Sequence, residues 1–194
     1  MKKAALPAPV KAQGTLEEYY DKLRKDGWKF AGSGAGGTVY VKGDLALKVS
    51  SDEAYDHFLE YALAHQNNPW FPKIYDVKRF EDVYYSKEDR DNNSRFAWTP
   101  WTPGKGDDYT VTLMEKLAFR KGSYKQRKNL SGTMEATGKE INWGLKPPMK
   151  GMSRNQKQAV KICAELFKEH MADLHDRNIM YRGKQPVIID PVWN

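Results

Sequence analysis

Between two β-prone stretches, Trp28-Lys-Phe30 and Thr38-Val-Tyr-Val41, the chain carries Gly32-Ser-Gly-Ala-Gly-Gly37, with glycines 32, 34 and 37 in the spacing G-x-G-x-x-G. No other feature restricts the fold as much. A glycine-rich turn leading from a strand into a helix, with an acid about 20 residues on, would predict a parallel dinucleotide-binding sheet. Here a second strand follows, then a Gly43-Asp44 turn and a third β-prone segment, Leu45-Ala-Leu-Lys-Val49. The pattern predicts consecutive hairpins and hence an antiparallel sheet. Bare of side chains, the first hairpin can bring backbone N–H donors close to phosphates; a flexible tip is the alternative reading of the same glycines.

Lys48 lies in the third strand among apolar neighbours. A cation there is costly to bury unless an anion such as a nucleotide phosphate meets it, and a snorkelling lysine is the competing explanation. Upstream, Thr15 and Glu18 have the form of a capping box, and Leu16, Tyr19, Tyr20 and Leu23 recur on one helical face before Gly27. Residues 52–66 predict a second helix with Tyr55, Phe58, Leu59 and Ala62 on one stripe, and with Glu53, Asp56 and Glu60 among its acids.

Phe71-Pro-Lys-Ile-Tyr-Asp-Val77 predicts a strand entered through a proline, and Tyr109-Thr-Val-Thr-Leu-Met-Glu115 a strand ending in an acid. Between them residues 86–108 read as an insertion, whose Trp98 and Trp101 either stack on a partner or pack down on the domain. The segment 118–150 is basic, contains Gly and Pro and is weakly patterned, so it reads as loop-rich. Ser153 then caps a helix whose stripe is Ala159, Ile162, Cys163, Leu166 and Phe167, and Val187-Ile-Ile189 is a short apolar strand before Asp190.

With 194 residues, 40% of them hydrophobic and 29% charged, the chain is long enough for one domain of two small lobes, and no apolar run approaches a membrane span. A single cysteine, Cys163, excludes an intramolecular disulfide and fits a reducing, cytoplasmic setting as a buried thiol. Residues 1–14 lack periodicity and read as a flexible arm. The net charge of +7 points to polyanionic partners, and Arg120, Lys121, Lys125, Arg127 and Lys128 concentrate it. That cluster suits an acidic protein surface better than RNA, with a merely solvated loop as the alternative.

The chemistry concentrates in Asp173-Leu-His-Asp-Arg-Asn178 and in the later Asp190. Transfer of a phosphoryl group from a metal nucleotide needs one carboxylate to orient and deprotonate a hydroxyl, and further oxygen ligands to hold Mg²⁺. A carboxylate, a carboxamide and a second carboxylate supply that set. A surface turn rich in Asp and Asn is the bland alternative.

In their order the glycine hairpin, strand lysine, helix, strand ending in Glu115, long helix, D-L-x-x-x-N and final Asp resemble the protein-kinase-like fold from Gly32 to Asp190. The 71–77 stretch, Asp173-Leu-His-Asp-Arg-Asn-Ile-Met180 and Ile189-Asp-Pro-Val192 are similar to the small serine/threonine protein kinases of Teseptimavirus-type bacteriophages. The resemblance implies an α+β fold of two lobes: a nucleotide-binding sheet lobe at 15–117 and a reduced, mainly helical lobe at 118–194.

It implies that Gly32, Gly34 and Gly37 cover the phosphates of ATP while Lys48 clamps them. The backbone from Glu115 to Leu117 would hold the adenine edge, with Met114 behind it. Asp173 becomes the catalytic base, Asn178 and Asp190 the Mg²⁺ ligands, Glu60 the candidate partner of Lys48 with Glu53 and Asp56 competing for that role, and His175 a residue that shapes the loop. The implied activity is phosphorylation of Ser or Thr in host proteins early in infection, within the bacterial cytoplasm. Met171-Ala172 and Pro191-Val192 depart from the His-Arg and Phe-Gly of many kinases. With four residues after Asp190, neither an activation loop nor peptide-docking helices are expected. A kinase-like module that binds and inhibits a host protein, and a small-molecule kinase, are the other two readings.

Overall fold

The computed structural model describes residues 14–34, 37–84, 107–119, 124–147 and 149–193. The fold is α+β, and its contacts group the chain into two compact units: residues up to Ser51 with Tyr75–Lys116, and Asp52–Ile74 with residues from Leu117 onward.

The first unit opens with helix α1 (Leu16–Lys25). Its start is fixed by the expected reciprocal cap: Glu18 N–H donates to Thr15 Oγ1 at 3.3 Å and Thr15 N–H to the Glu18 carboxylate at 3.1 Å. Leu16, Tyr19 and Leu23 are its buried face, and Gly27 at φ 84° lets the chain leave it. A five-stranded sheet follows in the order β1-β2-β3-β5-β4, from β1 (Lys29–Gly34), β2 (Gly37–Lys42), β3 (Leu45–Ser50), β4 (Ile74–Val83) and β5 (Asp107–Glu115). β1 with β2 and β2 with β3 pair antiparallel, as the run of hairpins predicts, and β3 also pairs antiparallel with β5.

Alternation along the strands gives the sheet one apolar face. Tyr40, Leu47, Val49, Val111 and Leu113 form a core on it with Leu16, Tyr19, Leu23 and Trp28. Burial pushes the Tyr19 phenol well above its usual range, because the hydroxyl is enclosed without a hydrogen bond among the described residues.

The second unit contains α2 (Glu53–Ala64), which Asp52 caps by accepting from Ala54 N–H at 3.0 Å. Tyr55, Phe58, Leu59 and Ala62 are buried as the periodicity predicts. The resemblance implies that this helix belongs with the sheet, whereas its contacts run to the C-terminal half, to α4 (Arg154–Leu166) and β9 (Val192–Trp193), and the rings of Phe58 and Phe71 lie 6.1 Å apart, tilted by 58°. The loop after α2 is held by its own amides: Gln66 Nε2 donates to Ala62 O and Pro72 O, its Oε1 accepts from Ile74 N–H, and buried Asn68 donates to Asn155 O.

Segment 118–150 is not loop-rich. It contains a 19-residue helix, α3 (Tyr124–Asn142), packed on α4. Among its described side chains the buried positions are Ser131, Met134, Thr137 and Gly138, a helical stripe with one large apolar residue. A pattern search keyed to apolar residues does not register such a face. The hydroxyls are satisfied locally, Thr137 donating to Thr133 O at 2.8 Å and Ser131 to Lys128 O at 3.2 Å. Gly138 allows close approach: a Cβ there would lie 2.8 Å from the Phe167 ring.

Helix α4 has the predicted Ser153 cap, with Gln156 N–H donating to Ser153 Oγ at 3.2 Å, and its predicted stripe is buried through Phe167. Within it burial pushes the Cys163 thiol up to about 12, leaving it protonated and inert at neutral pH. After α4 come β6 (Met171–Ala172), a 3₁₀ turn at Asp176–Asn178, and the hairpin of β7 (Ile179–Arg182) with β8 (Gln185–Ile188), turned at Gly183 with φ 60°. β6 pairs with β9. Among the described residues no helix is long and apolar enough to cross a membrane.

Candidate active site in the second unit

Asp173, Asn178 and Asp190 are brought together by backbone pairing. Asp173 N–H donates to Pro191 O at 2.8 Å, continuing the β6–β9 pair, and Ile189 N–H donates to Asn178 O at 3.0 Å, continuing the β7–β8 hairpin. Asp190 is thereby fixed from both sides, between a residue tied to Asn178 and a residue tied to Asp173. Leu174, Ile179, Val187, Ile188 and Val192 are buried around this junction and anchor it.

The side chains close the arrangement. Asn178 Nδ2 donates to Asp173 O at 2.7 Å and to Asp173 Oδ2 at 3.2 Å. Both partners are acceptors, so the amide nitrogen faces Asp173 and the oxygen is turned to the other side of the group. His175 is exposed. Its Nδ1 accepts from Arg177 N–H at 3.1 Å and caps the 3₁₀ turn, so in the neutral ring the proton sits on Nε2, 3.6 Å from Asp173 Oδ1.

The donor set fits a hard divalent cation. Asn178 contributes a carboxamide oxygen and Asp190 a carboxylate whose Oδ1 is buried, both oxygen ligands of the kind Mg²⁺ takes alongside water and phosphate. Asp173, half-buried and hydrogen-bonded through Oδ2, keeps Oδ1 as an acceptor for a hydroxyl.

The remaining predicted residues have the following places. In the first unit Lys48 is half-buried on β3, opposite Val39 on β2 and Thr112 on β5. Gly34 and Gly37 pair across the β1–β2 hairpin, and the register shifts between Phe30 and Gly32. Gly37 has φ 146°, and a Cβ on it would meet Val49 O at 2.2 Å, whereas around Gly32 and Gly34 a Cβ has open space. Glu115 is buried at the end of β5 opposite Leu45, next to Met114, and Lys116 N–H donates to Asp44 O at 2.9 Å.

In the second unit Leu117 is buried, and Ala118 exchanges both backbone hydrogen bonds with Tyr181. Glu60 is exposed on α2, off its buried stripe, while Asp56 is half-buried. Of the basic cluster, Lys128 is exposed on α3; Arg120, Lys121 and the side chains of Lys125 and Arg127 lie outside the described residues, as do Trp98 and Trp101.

The sequence reading did not single out Pro191 O or the backbone of Ile189, which fix the site. Main-chain groups leave no mark in residue types. No family model matches this chain, and the search of curated proteins gave no match. Among solved structures, the streptomycin-ATP-APH(2″)-IIa ternary complex is similar at 10% identity and a TM-score of 0.36, over 97% of this chain and 74% of that one. That similarity is too slight to carry an assignment, which rests on the geometry of the site.

Proposed function

We propose that this chain is an ATP-dependent phosphotransferase acting on Ser or Thr hydroxyls of proteins. The observation that carries the reading is the double backbone tie holding Asp190 between Asn178 and Asp173. A surface turn has no need to bring a carboxylate, a carboxamide and a second carboxylate together across two separate strand pairs.

In this reading Asp173 orients the acceptor hydroxyl and takes its proton as the oxygen attacks the γ-phosphorus and the bond to the β-phosphate oxygen breaks. Asn178 and Asp190 would hold Mg²⁺, which would supply neutralisation of charge on the phosphates. Asn178 also fixes Asp173 through Nδ2, and His175 keeps the turn in shape through its cap. The sequence resemblance implies roles for Lys48, Gly32 and Gly34 toward the phosphates and for the backbone from Glu115 to Leu117 toward the adenine. Open space at Gly32 and Gly34 supports that role, because packing does not require glycine at either position. The protein acceptor and the setting of a phage enzyme acting on host proteins rest on the sequence resemblance.

The test is direct. Mg²⁺-ATP at a hundredfold excess over its dissociation constant is expected to stabilise the chain by about 2.7 kcal/mol. Asp173→Asn is expected to lower phosphate transfer from labelled ATP to host-lysate proteins by about 10²–10⁴-fold while nucleotide binding persists. Equal silence of wild type and Asp173→Asn, with no shift in Tm from Mg²⁺-ATP, would overturn the reading.

A further inference from the structure

A second set of ligating side chains lies in the same unit and has no part in the proposed reaction. His57 sits on α2, and Glu169 and His170 follow the last turn of α4, where His170 N–H donates to Leu166 O at 3.0 Å. His170 Nε2 stands 2.7 Å from His57 Nδ1, and the Glu169 carboxylate stands 3.6 Å from that same Nδ1. One ligand atom from each residue falls within 4.8 Å of the others. The two rings meet edge to face, with centroids 4.7 Å apart and an interplanar angle of 66°.

We propose that His57, Glu169 and His170 form a binding site for a divalent transition metal of the zinc class, which clips α2 to the end of α4. Two imidazole nitrogens and one carboxylate oxygen are a borderline donor set, favouring Zn²⁺, Co²⁺, Ni²⁺ or Cu²⁺ over the Mg²⁺ suited to the all-oxygen group at Asn178 and Asp190. Three protein ligands leave a fourth tetrahedral position to water. Metal–nitrogen bonds of about 2.0–2.1 Å at a tetrahedral angle place the two nitrogens about 3.3 Å apart. The rings therefore need to open by about 0.6 Å from their contact distance.

The surroundings allow that movement. The side chain of His57 is 38% exposed and that of Glu169 is 72% exposed, so the nitrogen can turn and the carboxylate can swing inward. Without metal, the short nitrogen-to-nitrogen contact requires one ring to hold a proton between them. That ring gives the proton up on binding, by shifting tautomer or by releasing it to solvent. The hydrogen bond is thus the resting form of a pair whose ring nitrogens already converge.

The experiment uses the full chain without a histidine tag, dialysed against Zn²⁺ and then freed of loose metal. One Zn²⁺ per chain and a rise in Tm are expected. His57→Ala and His170→Ala are each expected to weaken Zn²⁺ binding at least about tenfold. The chain has four histidines, so His65→Ala, which removes one outside the cluster, serves as the control, together with Asp190→Asn at the other metal group; neither change is expected to alter Zn²⁺ binding. Cu²⁺-loaded wild type gives a readout independent of variant folding, since its paramagnetic resonance spectrum is expected to show hyperfine coupling to two imidazole nitrogens. Wild type that retains no Zn²⁺, binding undiminished in the His57→Ala, His170→Ala double variant, or a copper spectrum lacking two nitrogens would overturn the proposal. Loss of phosphate transfer with the zinc results intact would bear on the nucleotide site alone.

Discussion

The glycine hairpin at 32–37 and the turn at 173–178 are held in place by opposite means. In the hairpin, position 37 is set by what is missing: φ 146° and the closeness of Val49 O leave no room for a Cβ. The turn is set by what is present, since Asn178 Nδ2, the His175 cap and the tie from Asp173 to Pro191 each hold a stated atom. A site that must approach phosphates gains from bare backbone, and one that must position a proton acceptor gains from hydrogen bonds to the carboxylate. The two therefore should fail differently when altered.

Gly37→Ala is expected to have the largest effect on stability. A forbidden φ and a steric overlap with a backbone oxygen together cost about 3 kcal/mol or more, read as a lower midpoint in urea. If Gly37→Ala is neutral, the hairpin is not sterically fixed and the contrast fails.

Asn178→Ala tests the other side. Losing two hydrogen bonds to Asp173 is expected to cost about 1–2 kcal/mol in denaturant unfolding. Under the proposed function, transfer activity is expected to fall far more than that stability loss explains, because the variant would lose both a metal ligand and the group that orients Asp173. A fall in activity that merely tracks the unfolded fraction would mean that Asn178 is structural only.

The smallest effect sharpens the comparison. Gly32→Ala and Gly34→Ala have open space for a Cβ and are expected to change stability by no more than about 0.5 kcal/mol. Under the proposed function they should nevertheless raise KM for ATP, since an added methyl group keeps the backbone from the phosphates. An unchanged KM at both positions would confine the requirement for glycine to position 37.

Legibility followed the kind of signal each element uses. α1 could be read because its cap and its stripe are local: Thr15, Glu18, Leu16, Tyr19 and Leu23 lie within 9 consecutive residues. α4 could be read because its buried face is apolar. Its neighbour α3 could not, because its buried positions among the described side chains are Ser131, Met134, Thr137 and Gly138, and its fit depends on the Phe167 ring lying against a glycine.

By itself, the sequence determined the antiparallel hairpins, the capped helices and the short inventory of residues able to carry chemistry, since each depends on neighbours within a few positions. Which side chains meet was decided only in the tertiary structure. Asp173 joins Asp190 through Pro191 O, and His57 meets His170 across 113 positions of sequence. The physical reason is that such contacts run through main-chain hydrogen bonds and close packing between distant segments, whose energies depend on the folded path of the backbone and leave no periodic trace in residue type.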